Sequence, residues 1–178
     1  MPTRFPIEVG LRDARRVIVR AFNERHVDAT FDFFQRLPEE VRRYAWDRLD
    51  IREVVNSWAT DLDHDREVPV VALDGSKVVA HASLMYRDGG PLRLVGRIKW
   101  LLDPEYRGAG LGRMVVNTFM QMARDNGLRH LTCMLITDLE VDAVKTLRDL
   151  GFDEYPIANY GTDPDGNPRD MVKMVLAL

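Results

Sequence analysis

Short runs in which apolar and polar residues alternate occupy much of the chain, and such alternation is typical of β-strands with one buried face. The clearest pair of runs flanks Asp-Gly-Ser at residues 74–76, a combination that favours a β-hairpin. The next run is longer and places Arg97 and Lys99 on the same face of a strand. The predicted strands are residues 15–22, 68–73, 77–86, 91–102, 128–136, 152–157 and 170–178.

Between these runs, apolar residues recur at the spacing of a helix that buries one face. The first helix follows Asn23, whose side chain suits an N-cap, and the second begins at Pro38 and is expected to break near Asp50. The predicted helical regions are residues 23–37, 38–58, 112–126 and 138–150. Because no proline- or serine-rich linker interrupts these elements, the sequence predicts one mixed α/β domain, residues 1–178.

Composition restricts the expected partners and the compartment. The chain has 178 residues, and its net charge of −3 provides no broad basic field, so no nucleic-acid partner is expected. The first ten residues lack the apolar run of a secretory signal, and no apolar stretch has the length of a membrane span. Cys133 is the single cysteine, which suits a reducing compartment. We therefore expect a cytoplasmic protein without a membrane partner.

The glycine-rich segment at residues 107–112, Arg-Gly-Ala-Gly-Leu-Gly, stands between a predicted strand and a predicted helix. The first turn of a helix exposes amide groups that have no internal acceptor, and the helix dipole adds positive charge there. Glycines let an anion approach these amides, since no Cβ intervenes. The segment therefore predicts a phosphate-binding site in which Arg107 and Arg113 add side-chain donors.

Other interpretations of this segment are open. It lacks the Lys-Ser/Thr ending of a nucleotide P-loop and the G-x-G-x-x-G spacing of a dinucleotide motif. A plain turn that only joins a strand to a helix is the structural alternative. No group of His, Cys, Asp and Glu residues has the spacing of metal ligands, so no metal is expected.

Residues 107–112 resemble the R/Q-x-x-G-x-G/A signature of the GNAT superfamily of N-acetyltransferases. The predicted helix at 138–150, followed by Gly151-Phe152, is similar to the second signature of that family. The segment 163–178 resembles the closing strand of many members, and the order of elements matches from about residue 15 to residue 178. The chain is therefore identified as a member of the superfamily by resemblance.

The resemblance implies a mixed, mostly antiparallel central sheet of about six or seven strands with about four flanking helices. It also implies that the fourth and fifth strands splay apart to admit acetyl-CoA as co-substrate. The expected coenzyme-binding residues are Leu101, Leu102, Arg107, Gly108, Ala109, Gly110, Leu111, Gly112 and Arg113. Leu101 and Leu102 would pair with the pantetheine arm, and the residues from Arg107 onward would hold the pyrophosphate.

The sequence departs from the family at the positions of the usual proton-transfer groups. Leu147 occupies the position of the tyrosine that serves as general acid in many members, and Glu140 that of an asparagine. Arg97 occupies the position of the glutamate base that some members carry. Tyr155 and Tyr160 are the substitute candidates for the acid, each with a structural alternative.

The remaining candidates are a base and a group that binds the acceptor. His81 is a candidate base, with a hydrogen-bonded core histidine as the alternative. Arg97 and Lys99 either form a solvated strand face or attract a carboxylate or phosphate of the acceptor.

The sequence thus predicts an acetyl-CoA-dependent N-acetyltransferase. An amine would attack the thioester directly in a ternary complex. The acceptor would be a primary amine of a small molecule, a protein lysine or an N-terminus. The alternatives are a catalytically silent acyl-CoA-binding sensor or regulatory domain and a pure interaction domain. The sequence leaves open the acyl chain preference and the oligomeric state, a homodimer included.

Overall fold

The computed structural model describes residues 5–61, 63 and 66–178. Its strands are β1 (Ile7–Gly10), β2 (Arg16–Ala21), β3 (Glu67–Asp74), β4 (Lys77–Met85), β5 (Val95–Leu102), β6 (His130–Ile136), β7 (Asp153–Thr162) and β8 (Pro168–Ala177). Its α-helices are α1 (Val27–Arg36), α2 (Glu39–Arg42), α3 (Arg52–Thr60), α4 (Leu111–Asp125) and α5 (Val141–Asp149). The first four residues of the segment used to exclude a secretory signal lie outside the described residues.

These elements form two compact units whose chain segments interleave. The first unit takes its described residues from 1–83 and 100–111, and the second takes them from 84–99 and 112–178. β4 and β5 each contribute residues to both units. The prediction of one domain over residues 1–178 stays a prediction.

In the first unit the strands follow the order β1, β2, β3, β4. β1 and β2 pair antiparallel with Val9 opposite Val17, and β2 and β3 pair antiparallel with Val19 opposite Ala72. β1 is absent from the predicted strands because it has only four residues and borders β2 alone. Its presence brings the described residues to eight strands, rather than the expected six or seven.

The core of the first unit forms where α1 and α3 bury their apolar faces. Phe33 and Phe34 of α1 and Val55 of α3 are fully buried there, together with Val71 of β3 and Val78 of β4. Such burial is the main source of stability for short helices. The helix that was predicted over residues 23–37 is confirmed in part, since α1 begins at Val27 after a 3-10 turn at Glu24–His26.

The region predicted as one interrupted helix, residues 38–58, contains two helices. α2 ends at Arg42 and α3 begins at Arg52, so the expected break near Asp50 is confirmed, although α2 is much shorter than predicted. After α2 the chain continues through local turns, in which Tyr44 N donates to Val41 O. The described residues therefore contain five helices instead of about four.

In the second unit the strands follow the order β5, β6, β8, β7. β5 and β6 are parallel, and in the described residues their pairing runs from Val95 to Arg97, opposite His130 to Thr132. β6 and β8 are antiparallel over the whole of β6, and β8 and β7 are also antiparallel. The parallel ladder therefore ends early in β5, the predicted strand at which the splay is expected.

Gly96 sits within this short parallel ladder and explains why β5 and β6 approach each other there. A Cβ on Gly96 would lie 2.8 Å from Leu131 Cδ2 and 3.0 Å from methyl groups of Leu128 and Leu84. A larger residue would therefore force these buried leucines apart. Gly96 marks a position of close packing that the alternation of side chains does not reveal.

Two predicted strand boundaries in the second unit need correction. Residues 91–94 were predicted as strand, but they form turns in which Arg93 N donates to Gly90 O and Val95 N donates to Leu92 O. Local bonds of this kind replace ladder bonds, so β5 begins at Val95. β7 extends from 153 to 162 instead of ending at 157, because its pairing with β8 resumes after an irregularity between Ile157 and Gly161.

Candidate active site

The glycine loop (residues 107–112) follows a short 3-10 turn whose first residues are capped by a side chain. Asp103 accepts a hydrogen bond from Glu105 N at 3.1 Å and so caps the 3-10 turn at Pro104–Tyr106. Gly108 and Gly110 follow with φ values of +72° and +94°, a region that L side chains rarely adopt. α4 then begins at Leu111, one residue before the predicted start of the helix.

The two glycines leave space on one side of the loop. A Cβ on Gly108 would meet no atom within 4 Å, and one on Gly110 would approach only the side chain of Arg12, at 3.7 Å from Nε. Ala109 and Leu111 are buried and anchor the other side. The first-turn amides of α4 and the helix dipole make this open side favourable for an anion.

The two arginines predicted to assist the loop differ in their environments. Arg107 is exposed at the start of the loop. Arg113 is half-buried and forms an ion pair with Asp149, with 3.3 Å between Nη2 and Oδ2. The guanidinium of Arg113 is therefore already engaged by α5, whereas that of Arg107 faces solvent.

Tyr106 holds the turn before the glycine loop in place. Its side chain is buried, and its hydroxyl donates to Asp74 Oδ2 at 2.6 Å. The guanidinium of Arg15 lies 3.7 Å from the centre of the ring. Burial, with a further contribution from Asp74, raises the pKa of Tyr106, so the phenol stays protonated and donates.

A lysine completes this bracing. Lys77 Nζ lies 3.1 Å from Asp103 Oδ2 and 3.2 Å from Glu105 Oε2. The hydrogen bond with Asp103 is the largest contribution that raises the pKa of Lys77. Sequence reasoning did not find these contacts, because Lys77 and Tyr106 belong to no local motif and meet their partners only through the fold.

Leu101 and Leu102 are half-buried at the end of β5. The next residue, Asp103, still bonds to β4, with Asp103 N donating to Val79 O at 2.8 Å. On the other edge, the β5 residues that pair with β6 end at Arg97. The last residues of β5 therefore lie beyond the described ladder with β6.

Arg97 and Lys99 lie on the same face of β5, as the alternation predicts. Arg97 is exposed, and its Nη2 lies 3.5 Å from Met85 Sδ. Lys99 is half-buried and lies two residues beyond Arg97, the last β5 residue that pairs with β6. The two cations thus lie where the parallel ladder ends.

The family model for the Acetyltransferase (GNAT) family matches residues 27–152. The chain belongs to the GNAT family of acetyltransferases. The resemblance inferred from the glycine segment is confirmed, and with it an acetyltransferase activity that uses acetyl-CoA as co-substrate. The search of curated protein sequences gives no match.

Solved structures confirm the fold of this GNAT acetyltransferase. The GNAT domain of S. lividans PAT is 17% identical, with a TM-score of 0.81 over 100% of this chain and 99% of that one. A ribosomal-protein-S5-alanine acetyltransferase from Vibrio fischeri is 19% identical, with a TM-score of 0.80 over 96% of each chain. Mycobacterium smegmatis RimJ in complex with CoA-disulfide is 16% identical, with a TM-score of 0.76 over 97% of this chain and 88% of that one.

The candidate base of this acetyltransferase, His81, lies in an aromatic cluster of the first unit. It is buried, and its ring stacks on Trp58 with 4.7 Å between ring centres and an interplanar angle of 16°. Phe22 and Phe34 present their edges to the same ring at 5.8 Å and 5.5 Å. This apolar environment favours the core alternative for His81.

The candidate acids lie in the second unit. Tyr155 and Tyr160 are on β7, with 54% and 62% of their surfaces exposed. Leu147, at the position of the usual tyrosine, is fully buried on α5. The phenol that many members use is thus replaced by a core side chain, and the two nearby tyrosines face solvent.

The contacts of Glu140 and the burial of Cys133 indicate structural roles for both residues. Glu140 Oε2 accepts a hydrogen bond from Ile136 N at 2.7 Å, which ties the start of α5 to the end of β6. Cys133 is buried, and burial raises the pKa of its thiol, so it stays protonated. A thiolate nucleophile at Cys133 is therefore disfavoured.

The described residues contain neither a metal-ligand cluster nor a membrane-spanning helix. No group of three or more His, Cys, Asp or Glu residues in that part of the chain is arranged to hold a metal ion. Within the same residues, no helix combines the length and the apolarity needed to cross a bilayer.

Proposed function

We propose that this GNAT acetyltransferase transfers the acetyl group of acetyl-CoA to a primary amine in a ternary complex. The observation that carries the proposal is the glycine loop, whose open side at Gly108 and Gly110 leads to the first-turn amides of α4. The proposed pyrophosphate-binding residues are Arg107, Gly108, Ala109, Gly110, Leu111, Gly112 and Arg113. A side chain at Gly108 would occupy the space that an anion needs.

Leu101 and Leu102 are proposed to bind the pantetheine arm through their backbone. Pantetheine contains amide groups, and an extended amide chain pairs with the free edge of a strand. The end of the β5–β6 pairing at Arg97 supports this proposal, because Leu101 and Leu102 take no part in the described ladder.

The reaction follows from the chemistry of a thioester and an amine. The lone pair of the neutral amine attacks the carbonyl carbon, a C–N bond forms, and the C–S bond breaks. Sulfur leaves with the bonding pair as a thiolate, and the nitrogen loses a proton while the thiolate gains one. We assign the protonation of the thiolate to solvent, since Leu147 is buried where many members carry a phenol. Tyr155 and Tyr160 are the alternative donors.

The acceptor is proposed to carry a carboxylate or a phosphate near its amine. Arg97 and Lys99 lie on one face of β5, where the pairing with β6 ends, and Arg97 is exposed. A guanidinium forms two parallel hydrogen bonds with a carboxylate or phosphate, which gives direction as well as attraction. Small molecules, protein lysines and N-termini are the classes to compare.

The chain is further proposed to act as one catalytic domain in the cytoplasm, without a nucleic-acid or membrane partner. The net charge of −3 supports the absence of general attraction to nucleic acid. The family match, which spans residues 27–152 and so includes residues of both compact units, supports their action together.

Two measurements test the proposal. A thermal-shift titration with coenzyme A measures binding, and ligand at 100 times its Kd is expected to add about 2.7 kcal/mol to the free energy of unfolding. Release of free thiol from acetyl-CoA, measured over amines with and without an adjacent carboxylate or phosphate, measures transfer. Preferential turnover of the anionic amines supports the proposal. Binding without turnover of any amine class favours the sensor alternative, and absence of binding contradicts the coenzyme site.

A further inference from the structure

The turn between β1 and β2, residues 11–15, lies against the glycine loop. Arg12 N donates to Ala109 O at 3.0 Å, which joins the two backbones directly. Arg15 Nη2 donates to Glu105 O at 2.7 Å, and its guanidinium stacks on the ring of Tyr106. A segment that is almost a hundred positions away in sequence therefore becomes part of the surroundings of the loop.

The β1–β2 turn is held in one conformation by its own contacts. Leu11 is buried, and Leu11 N donates to Arg15 O at 2.8 Å. Ala14 N donates to Leu11 O, and Asp13 Oδ1 accepts from Arg15 N at 3.2 Å. The Arg12 backbone is therefore held beside Ala109 both by the hydrogen bonds within the turn and by its own bond to Ala109 O.

The two arginines of the turn, Arg12 and Arg15, differ in whether a carboxylate forms an ion pair with the guanidinium. Arg15 is neutralised by Asp13, with 2.5 Å between Nη2 and Oδ2, and also contacts the turn before the glycine loop. Arg12 is exposed, and in the described part of the chain no carboxylate forms an ion pair with it. Its Nε would lie 3.7 Å from a Cβ on Gly110, so the unneutralised guanidinium runs beside the glycine of the loop.

We infer that Arg12 binds a phosphate group of coenzyme A together with the glycine loop, an inference that rests on the proposed function. The fixed backbone keeps the guanidinium within reach of an anion on the loop amides, and only side-chain rotation is needed for contact. A guanidinium offers a planar pair of donors that matches phosphate oxygens, and it binds them more strongly than a neutral donor does. Arg12 thus adds a charged ligand from outside the glycine segment.

The test compares Arg12→Gln with Arg16→Gln, a matched loss of charge at an exposed residue on the first position of β2. Binding of coenzyme A is measured by isothermal titration calorimetry, and melting curves show that each variant is folded. We expect Arg12→Gln to weaken binding about tenfold or more, and Arg16→Gln to change it by less than about twofold. Because the backbone bond from residue 12 to Ala109 survives the substitution, the fold is expected to persist.

The same titrations with dephospho-coenzyme A identify the phosphate. A loss that disappears with dephospho-coenzyme A assigns Arg12 to the 3′-phosphate, and a loss that persists assigns it to the pyrophosphate. Unchanged binding by Arg12→Gln, while the unmodified protein binds coenzyme A, overturns this inference alone. Absence of binding by the unmodified protein overturns the proposed coenzyme site and the inference with it.

Discussion

The glycine loop and the set of proposed proton-transfer groups are encoded in different ways. The loop depends on backbone features: the Asp103 cap, the positive φ angles at Gly108 and Gly110, and the start of α4. The proton-transfer candidates depend on particular side chains, and Leu147, which the resemblance places at the position of the usual tyrosine, is buried. The proposed coenzyme site therefore depends on backbone geometry, whereas the proposed chemistry at the amine depends on the identity of individual side chains.

The difference also concerns what surrounds each region. Asp74, Lys77 and Arg15 hold the turn before the glycine loop through specific polar contacts. His81, in contrast, contacts aromatic rings, and Tyr160 faces solvent. Because these contacts hold the glycine loop independently of the proposed acceptor-binding residues, we expect separate effects of substitution. Substitutions at the loop should change coenzyme affinity, and those at Arg97 should change the KM for the amine.

The largest expected effect is the loss of coenzyme binding in Gly110→Val. The φ of +94° at Gly110 is strained for valine, and the new side chain would enter the space beside the loop amides. Charge-assisted bonds to amides contribute about 1.5–3 kcal/mol each, so the loss of one or two weakens binding by roughly a hundredfold. Isothermal titration calorimetry with coenzyme A measures this loss.

Gly166→Val is the matched control for backbone strain. Gly166 lies in the turn between β7 and β8 with a φ of +90°, and a Cβ there would meet no atom within 4 Å. Both variants therefore introduce the same unfavourable backbone, but only the first alters the glycine loop. Equal losses of affinity in the two variants would show that strain, rather than the loop, controls binding.

The sequence predicts the loop well because its determinants are local. The glycines, the preceding Asp-Pro and the helix that follows stand within a dozen positions, so their spacing alone indicates a turn that opens on helix amides. Regular alternation likewise predicts the β3–β4 hairpin almost to the residue.

Most of the parts that the sequence did not predict depend on distant contacts, and one depends on local hydrogen bonds. β1 has four residues and becomes a strand only because β2 lies beside it. Arg15 reaches Glu105 and Tyr106 across ninety positions, and no spacing rule connects them. Residues 91–94 alternate like a strand, yet local hydrogen bonds hold them in turns. Alternation of apolar and polar residues indicates that one face of a segment is buried. It does not indicate which other segment forms hydrogen bonds with its backbone.

Removal of the Tyr106 hydroxyl is expected to lower the stability of the first unit. Tyr106→Phe deletes the bond to Asp74 and leaves that carboxylate without its buried donor, at a cost of about 1–2 kcal/mol in the free energy of unfolding. Urea denaturation measures the change. Tyr160→Phe removes a hydroxyl from an exposed tyrosine and is expected to change stability by less than about 0.5 kcal/mol.

A smaller effect is expected at the proposed acceptor-binding face. Arg97→Ala removes an exposed guanidinium from β5, and we expect the KM for an anionic amine to rise about tenfold while the KM for acetyl-CoA stays unchanged. Arg124→Ala, at an exposed residue in the last turn of α4, is the charge-matched control. If both constants rise together, Arg97 belongs to coenzyme binding and the separation of the two regions is wrong.

The smallest expected effect is a dependence of stability on pH that arises from His26. His26 Nδ1 accepts a hydrogen bond from Asn23 N at 3.1 Å within the capping box before α1. Partial burial, followed by the positive charges of Arg20 and Arg25, lowers the pKa of His26 in the folded chain. The unfolded chain, with a histidine pKa of about 6.5, therefore binds the proton more readily.

The sign of the effect follows from this difference. The free energy of unfolding is highest above pH about 6.5 and decreases as the pH falls below that value, because protonation favours the unfolded chain. His26→Gln keeps an acceptor for Asn23 N without a titrating ring, so its stability curve between about pH 7 and pH 5 is expected to be flatter. Urea denaturation across that range measures both curves. If the acetyl-transfer rate falls between about pH 7 and pH 5 to the same extent in both proteins, that fall arises from the chemistry at the amine rather than from folding. Equally steep stability curves in the two proteins would contradict the role assigned to His26.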